Sequence, residues 1–475
     1  MLAEHTLEVP AIPGSKGLLA HLEAAVAARF AGAATPIRFV VTASSSAGYH
    51  CEVGVMKGVP RGLSTPDSIF RFVKRPRRGG KDFNVALLVP TGVGAEIGGH
   101  AGDAGPVVRL VSSLSDLVIT HPNVVNASDI NEIPDNGLYV EGSVLSRFLM
   151  GTVGLLPRAS NRVLAVIDRH ADRQFVHVAV NTVNAARTTY GLSCPRVVEL
   201  DPPLRMHAQY TGSGRAAGTV EGLERLCRYL AEHRDEYDAV AISSVIGTPP
   251  GVHADYYLNK AGEMVNPWGG VEAMLTHAIS CLFDVPSAHA PMFESREVAN
   301  MDPGVVDPRM AAEAVSFAFF QCVLKGLHRS PGLVTDAEEM RGRGVLTAAD
   351  LAAVVIPDGC LGLPTLAALE QGIPLIAVRE NRNIMRNDLA ALPWRPGQFF
   401  RVENYWEAAG VLAALKAGVA PESVRRPIGQ VEWTTVSETT TAARTTAPRS
   451  ASDAPAEPNE GAASETLEPA IGSIG

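Results

Sequence analysis

The chain has 475 residues, of which 46% are hydrophobic and 19% charged, and its formal net charge at pH 7 is -9. This composition is typical of a folded protein of about two to three domains with a large core. The acidic balance argues against nucleic acid or an anionic membrane as the main partner, because both attract basic surfaces.

The sequence shows no sign of a membrane span or an export signal. It contains no uncharged apolar run of about 18 residues, the length that a bilayer span requires. The N-terminal stretch contains Glu4 and lacks the long apolar core of a secretory signal. The six cysteines are scattered without a C-x-x-C pair, so neither a disulfide scaffold nor a closed zinc site is indicated. We therefore expect a cytoplasmic protein.

The first segment, residues 1–80, is predicted to form an α/β section that ends in a basic linker. A helix is predicted over GLLAHLEAAVAARF, and a buried strand over IRFVVTA. The basic, glycine-broken stretch KRPRRGGKD, from Lys74 to Asp82, follows. It is typical of a solvated linker, and weak anion binding is the alternative.

Apolar runs then alternate with helical segments through the body of the chain. The runs are NVALLVP, LVITHP, RVLAVIDR, FVHVAVN, DAVAISS, AAVVIPD and IPLIAV. Short, continuous, β-branched runs are typical of strands covered on both faces, which are usually parallel with helical crossovers. We therefore predict an α/β fold of mostly parallel sheets in two Rossmann-like lobes, at residues 81–235 and 236–429.

Two further segments complete the predicted organisation. One buried helix is predicted over DPRMAAEAVSFAFFQCVLKGLHRSPG, with Asp307 as its N-cap, Pro308 in its first turn, and Gly326 or Gly332 to end it. Residues 430–475 are rich in Thr, Ala, Ser, Pro and Glu, and they have few large apolar residues. We predict a disordered tail there, because such a segment cannot bury enough surface to offset its ordering entropy.

The glycine-rich loop TGVGAEIGGHAGDAGP, which follows the NVALLVP run, is the first candidate binding site. Ligands in open α/β sheets bind beyond the carboxyl ends of the strands. Glycines allow positive φ and close approach of backbone N–H groups to an anion, and a helix that begins near Pro106 would add its positive end. The spacing matches neither a Walker loop nor G-x-G-x-x-G, and a structural turn is the alternative. The predicted anion-binding residues are Gly92, Gly94, Gly98 and Gly99.

Two histidines near this loop are candidates for proton transfer. His100 and Asp103 lie in the loop itself, and one histidine with one acid is too few ligands to indicate a metal. His121, Asn123 and Asn126 follow the next apolar run; the amides would orient a polar substrate, and histidine titrates near neutral pH. Turn formation by the asparagines is the alternative. If the two strands are parallel neighbours, both loops open on one edge of the sheet and line one pocket.

Two later loops carry further candidate substrate contacts. Asn181 and Thr182 are predicted to begin a helix directly after the FVHVAVN strand, as an N-cap or as a ligand contact. Asn266 belongs to NPWGGVEA, which either closes over a substrate with Trp268 as an apolar wall or forms a simple turn before a helix.

The segment AAVVIPDGCLGLPTLAALEQGIPLIAVREN is predicted to form a strand, a loop, a helix and a second strand. Cys360 would lie at the end of the first strand and near the start of the helix, a position that lowers the pKa of a thiol. We predict a catalytic thiolate there, with a small buried residue as the alternative. Asp358 precedes it, and Glu380 and Asn381 complete a polar rim for the substrate.

These segments resemble an uncharacterised bacterial family whose only label is a domain of unknown function (DUF 3326). The resemblance covers about Val40 to Leu415 and implies no agreed reaction. It rests on VPTGVGAEIGGHAGDAGPVVR, THPNVVNASDI, LYVEGSVLSRF, DPRMAAEAVSFAFFQCVLKGLH and CLGLPTLAALEQGIPLIAVREN.

A second, partial resemblance is to aspartate/glutamate racemases. The stretch VAVNTVNAARTTYGLSCPRVVEL is similar to their strand–Asn-Thr–helix element, and DGCLGLPTLAALEQGIPLI to their second cysteine loop. Val180 stands where the first of their two catalytic cysteines is expected. The resemblance therefore does not imply two-thiol racemisation, and it leaves one-base isomerase or lyase chemistry open.

We expect an enzyme that acts on a small anionic metabolite, a carboxylate or a phosphorylated compound, by proton transfer such as isomerisation or a lyase reaction. His100 or His121 would move the proton, with Asp103 orienting the histidine. The alternatives are a non-catalytic metabolite-binding or accessory protein and a nucleotide-sugar-dependent transferase whose donor would contact Glu370. The sequence identifies no cofactor, predicts neither a nucleic-acid nor a membrane partner, and is compatible with a homo-oligomer.

Overall fold

The computed structural model describes residues 1–12, 17–76, 82–259, 263–315 and 318–435. The strands are β1 (Leu2–Pro10), β2 (Thr35–Ser44), β3 (Gly48–Met56), β4 (Asn84–Leu87), β5 (Leu117–Thr120), β6 (Asn126–Ala127), β7 (Ile130–Asn131), β8 (Gly137–Tyr139), β9 (Gly154–Leu156), β10 (Val163–Asp168), β11 (Val197–Leu200), β12 (Arg205–Tyr210), β13 (Ala216–Glu221), β14 (Ala239–Gly247), β15 (Ser287–Met292), β16 (Gly332–Val334), β17 (Leu351–Pro357), β18 (Leu361–Gly362), β19 (Leu375–Val378) and β20 (Phe399–Val402).

The helices follow the same chain order. They are α1 (Leu18–Phe30), α2 (Gly105–Leu114), α3 (Pro122–Val125), α4 (Gly142–Leu149), α5 (Arg173–Tyr190), α6 (Leu223–Glu232), α7 (Val252–Ala254), α8 (Gly269–Phe283), α9 (Arg296–Ala299), α10 (Ala311–Ala314), α11 (Phe320–His328), α12 (Leu363–Gln371) and α13 (Tyr405–Lys416). Residues 1–425 form one compact unit. The predicted tail from residue 436 onward, and residues 77–81 of the predicted basic linker, lie outside the described residues.

The larger sheet is mixed, with the strand order β11–β10–β14–β12–β13–β1–β3–β2–β18 and with β15 paired to β14. The strands β10, β11, β14 and β15 are mutually parallel, as predicted. The strands β1, β2, β3 and β13 pair antiparallel instead, so the prediction of mostly parallel sheets is wrong for this part of the chain. For β2 and β3 the reason is the short connection between them, because only a hairpin, and not a helical crossover, fits there.

The second large sheet is parallel throughout, with the order β20–β19–β17–β4–β5–β8. Every residue of β4 and of β19 is buried, which is what their continuous apolar sequences predict for strands covered on both faces. Strands from both sides of residue 235 belong to each of the two large sheets. The predicted boundary near that residue therefore does not separate two sheets.

The predicted strand FVHVAVN is in fact part of the long helix α5. Asp172 caps the helix by accepting a hydrogen bond from the Gln174 backbone N–H at 3.0 Å, and Gly191 ends it with a φ of 70°. Asn181 is exposed in mid-helix, and the Thr182 hydroxyl donates to the Val178 carbonyl at 2.9 Å. Neither residue follows a strand, and the strand–Asn-Thr–helix element of the racemase resemblance is absent from this segment.

The predicted helix that begins after Asp307 is shorter and interrupted. Asp307 does cap a helical turn, accepting from the Arg309 backbone N–H at 2.9 Å. The helical segments that follow are α10 and α11, with residues 316–317 between them outside the described part of the chain. Gly326 does not end α11 but lies within it, where a Cβ would meet the Tyr139 ring at 2.5 Å. Its role is close packing of the helix on β8.

Candidate functional site

A cavity of about 270 Å³ lies where the carboxyl ends of β4, β5 and β17 approach β2 of the mixed sheet. Its walls come from β2, from the loops after the three parallel strands, and from residues of α4, α8 and α12. Open α/β sheets bind ligands at this edge, because the loops there can carry chemistry without disturbing the strands. We refer to this space as the central cavity.

The loops after β4 and β5 meet at the central cavity. The two strands are parallel neighbours, as predicted. The Val89 backbone N–H donates to Nε2 of His121 at 3.1 Å, and Nδ2 of Asn123 donates to the carbonyls of Val89 and Gly98 at 2.9 and 2.7 Å. His121, Asn123 and Asn126 all line the cavity. The structure thus brings these three predicted site residues together.

The four predicted anion-binding glycines do not line the central cavity. The Gly98 N–H donates to Oδ1 of Asp103 at 2.7 Å, so it already has an anionic acceptor within the loop. The glycines serve close packing, because a Cβ on any of them would clash with a neighbour. The clashes would be Gly92 with the Ala216 carbonyl (2.8 Å), Gly94 with Val265 (2.8 Å), Gly98 with Val89 (2.8 Å) and Gly99 with the Ala95 carbonyl (2.1 Å).

The two predicted proton-transfer histidines are buried. Nδ1 of His100 shares a hydrogen bond with the Tyr256 hydroxyl at 2.7 Å, and His100 does not line the central cavity. Burial lowers the pKa of His100 and that of His121 to about 4 each. The expectation that they titrate near neutral pH is therefore wrong. Asp103 bonds the Gly98 backbone instead of orienting the His100 ring, and burial raises its pKa to about 7.

Cys360 lines the central cavity, but it does not have the predicted thiolate character. It is 3% exposed, and burial raises the pKa of its thiol well above the ordinary value. The prediction of a lowered pKa is wrong because the loss of water outweighs the effect of the nearby start of α12. All six cysteines are free and buried.

The remaining residues of the predicted polar rim lie outside the cavity lining. Asp358 forms an ion pair with Nε of Arg401 at 3.0 Å, and Glu380 is exposed. Asn381 is fully buried, and its amide exchanges two hydrogen bonds of 2.9 Å with the Ile97 backbone. Asn381 therefore fixes the glycine-rich loop from the far side.

Asn266, a predicted substrate contact, lines the central cavity. Its Oδ1 accepts from the backbone N–H groups of Trp268 and Gly269 at 3.0 and 3.3 Å, which caps the start of α8. Its Nδ2 donates to Oε1 of Glu313 at 3.1 Å. Asn266 thereby links α8 to the buried Glu313 carboxyl group.

Arg38 of β2 is a cavity residue that the sequence analysis missed. Its Nη1 and Nη2 donate to the carbonyls of Gly270 and Thr91 at 3.0 and 3.2 Å, and it has no ion pair among the described residues. Burial, together with the positive charge of Arg215, lowers the pKa of Arg38 to about 9. The signal in the sequence is the single charge within IRFVVTA, an otherwise uncharged run.

Glu141 and His277 form a second missed feature of the cavity. Nδ1 of His277 donates to Oε1 of Glu141 at 2.5 Å, while Oε2 of Glu141 accepts from the backbone N–H groups of Ser143 and Val144 at the start of α4. Burial opposes ionisation of Glu141. The charge and hydrogen bond of His277 and the bonds from Ser143 outweigh burial and lower the pKa of Glu141 to about 2. Glu141 is therefore an ionised acid that both caps a helix and holds a histidine.

A third group has the hydrogen bonds of a Ser–His–acid triad. Nδ1 of His289 bonds Oε1 of Glu272 at 2.9 Å, and its Nε2 bonds Oγ of Ser244 at 2.7 Å. His289 and Glu272 line the cavity, but Ser244 does not and is 0% exposed. A serine that a substrate cannot reach is not a nucleophile, so Ser244 orients His289.

The described residues contain neither a metal-ligand cluster nor a membrane-spanning helix. No group of three or more His, Cys, Asp or Glu side chains there is arranged to hold a metal ion. None of the helices in that part of the chain is both long and apolar enough to cross a membrane.

The fold and the cavity define an α/β protein with a ligand-sized site at the carboxyl edge of its parallel sheet. The chain belongs to the family described as "Protein of unknown function (DUF3326)", whose model matches residues 84–425 and so confirms the first resemblance. It is also 34% identical over 350 residues to an uncharacterised lipoprotein of Synechococcus sp., with 73% of this chain and 94% of the relative covered. No solved structure matches the chain.

Proposed function

We propose that the central cavity is the active site of an enzyme that moves a proton on a small carboxylate or phosphorylated metabolite. The observation that supports this most strongly is Arg38, a guanidinium that lines the cavity without a carboxylate partner among the described residues. A volume of about 270 Å³ suits a ligand of small-metabolite size.

Arg38 is suited to bind the anionic group of such a metabolite. Guanidinium carries five N–H donors in a planar fork, and the two bonds to Thr91 and Gly270 leave others available. The neighbouring arginines are already paired, since Arg215 contacts Glu4 and Glu52, and Arg147 contacts Asp284. Glu4, Glu52 and Glu141 act on Arg38 only through space, so a bound carboxylate or phosphate would supply the direct ion pair that it does not have among the described residues.

His277 is suited to transfer the proton. Because Nδ1 of His277 bonds Glu141, Nε2 is the ring nitrogen that remains for a ligand. An ionised carboxylate behind a histidine fixes the tautomer and stabilises the protonated ring, as in other acid–histidine pairs. Both residues line the cavity with Arg38, so one ligand has access to an anion-binding group and a base. This assignment replaces His100 and His121 as the proton-transfer residues.

A thermal-shift screen of anionic and neutral metabolite pools tests the binding part of the proposal. Anionic pools should raise the melting temperature of the wild type and of Arg187→Met, a control at an exposed arginine of α5. They should not raise that of Arg38→Met. Stabilisation by neutral pools alone would contradict the proposal. An anion that binds through Arg38 without ever reacting would favour the alternative, a non-catalytic metabolite-binding protein.

The cellular location is a separate proposal. We propose a cytoplasmic enzyme, on the basis of the scattered cysteines, all six of which are free and buried. The Synechococcus relative carries the name lipoprotein. Fractionation of cells followed by immunoblotting decides the matter: recovery in the soluble cytoplasmic fraction supports the proposal, and recovery with the membranes contradicts it.

A further inference from the structure

A second cavity of about 150 Å³ lies beside the central cavity. We infer that it is a binding site for a planar aromatic ring of about the size of benzene that carries a hydroxyl or amino group. This inference does not depend on Arg38 or on the proposed reaction. We call the space the side cavity.

The first observation is an unsatisfied hydroxyl in the wall of the side cavity. Ser128 is 3% exposed, and its Oγ has no hydrogen-bond partner among the described residues. A buried hydroxyl without a partner costs free energy, so such groups are rare unless a ligand or water completes them. Ser128 is therefore a residue of the wall whose hydroxyl still has a hydrogen bond to make.

The backbone at Ser128 gives the second observation. Its φ is 60°, in the left-handed region that glycine favours, within the tight turn between β6 and β7. Serine in this conformation is strained, and strained residues of this kind cluster at functional sites. Glycine would fold more easily here, but it would lack the hydroxyl. Serine at this position therefore supplies a hydroxyl group at the cost of backbone strain.

The shape and chemistry of the remaining wall indicate an aromatic occupant. Trp268, Phe293 and Phe319 supply aromatic surface, and Met292 supplies a thioether that packs well against rings. A cavity of about 150 Å³ is large enough for benzene. Its wall combines this aromatic surface with polar side chains such as Ser128, Asn126 and His289, so it suits a ring with a polar substituent better than a plain hydrocarbon.

A second residue of the wall, His253, also has an unsatisfied polar atom. Nδ1 of His253 is buried and has no hydrogen-bond partner among the described residues. Burial lowers the pKa of His253, so its neutral ring can either accept or donate a hydrogen bond. The neighbouring segment Asp255–Asn259 forms a π-helical turn, a rare element that is frequent at functional sites.

The two cavities share a wall formed by Asn126, Asn266, Glu272 and His289. A ring in the side cavity would lie against the same Glu272–His289 pair that the central cavity contacts from its other side. The side cavity is thus placed to hold a ligand next to the central site.

Calorimetric titration with phenol and with toluene tests the inference on the full-length protein. Phenol should bind the wild type saturably and more tightly than toluene does. Ser128→Gly should weaken phenol binding about three- to tenfold, the effect of one hydrogen bond, and leave toluene binding unchanged. Its melting temperature should be equal to or higher than that of the wild type, because glycine removes the positive-φ strain.

Two further variants locate the binding site. Val298→Trp, at a half-buried residue in the wall of the side cavity, should abolish binding of both probes. Arg38→Met should leave phenol binding unchanged, because it alters only the central cavity. Lack of saturable phenol binding by the wild type would overturn the inference. So would phenol binding by Ser128→Gly and Val298→Trp with the affinity of the wild type.

Discussion

Nδ1 of His277 lies 2.5 Å from Oε1 of Glu141, although 136 residues separate the two in the chain. The contact joins the first turn of α4 to the middle of α8 and presents the histidine to the central cavity. It also places an ionised carboxylate behind a potential base. The relationship is the structural basis for assigning proton transfer to His277.

The first prediction concerns Glu141 and the reaction. Glu141→Gln keeps an acceptor for the backbone at the start of α4 but removes the charge that stabilises protonated His277. We expect turnover to fall by about 10²- to 10⁴-fold with ligand binding retained, because general acid–base catalysis contributes about that factor. Steady-state kinetics and ligand titration on the same preparation measure both quantities. Full activity of Glu141→Gln would show that the carboxylate does not serve catalysis.

The second prediction concerns Ser244. Because Ser244 is inaccessible from both cavities, we expect Ser244→Ala to reduce turnover by less than about tenfold, through looser orientation of His289. No covalent adduct on Ser244 should appear in mass spectra of protein stopped during turnover. A loss of about 10³-fold or more, or an adduct at Ser244, would instead identify it as a nucleophile.

The third prediction concerns stability. The side chain of Arg215 is 0% exposed and pairs with the buried carboxylates of Glu4 and Glu52. Arg215→Met removes the ion-pair partner of both carboxylates, so we expect the free energy of unfolding to fall by about 3–5 kcal/mol in urea titration. The matched control is Arg205→Met, at the exposed pair with Glu221, which should cost less than about 1 kcal/mol. Equal effects of the two substitutions would contradict the account of the buried cluster.

The fourth prediction concerns the pH dependence of stability. Burial raises the pKa of Glu313 from 4.5 to about 7. Between these values the folded chain keeps a proton that the unfolded chain releases, so the contribution of Glu313 to stability falls as pH rises from about 4.5 to 7. The glutamine of Glu313→Gln cannot titrate. The free energy of unfolding of the variant minus that of the wild type should therefore rise with pH across this range.

Urea titrations of both proteins at pH 4.5 and pH 7.5 measure that difference. The buried histidines His100 and His121, whose pKa values are about 4, act in the opposite direction below pH 6.5. These histidines are present in both proteins, so the difference between the two reports on Glu313 and on the groups coupled to it, which are Asp103 and, through Tyr256, His100. A difference between wild type and variant that stays constant with pH would show that Glu313 has an ordinary pKa.

The parallel sheet could be predicted from the sequence because its strands are continuous apolar runs, and these runs are buried on both faces in the fold. The runs that became β4, β5, β17 and β19 are apolar, and they are bounded by glycine and proline. The order of β4 and β5 then placed His121, Asn123 and Asn126 on the ligand-binding edge. The strand prediction for the FVHVAVN run was wrong because a short apolar run fits one face of a helix and a strand equally well. The helix signals are Asp172, which caps its start, and Gly191, which ends it.

Arg38 and His277, the residues to which we assign anion binding and proton transfer, could not be predicted, because segments distant in the chain create their environment. Arg38 is the single charged residue of its strand. It lies at a cavity rather than in solvent only because the loops of the parallel sheet pack beside β2. The same holds for His277, which acquires its partner when α4 packs on α8. Conversely, the glycines of the conspicuous loop are needed for packing, which the sequence pattern alone does not distinguish from anion binding.

Deuterium incorporation is the measurement that tests the central claim most directly. An enzyme that moves a proton on a metabolite exchanges that proton with solvent, so pools of carboxylates and phosphorylated compounds are incubated with the protein in D₂O and read by mass spectrometry. The control is His177→Gln, at an exposed histidine of α5. The account predicts that the wild type and this control add one deuterium to the same anionic metabolite. It predicts that His277→Gln adds none. Binding of an anion without exchange, or exchange that persists in His277→Gln, would contradict it.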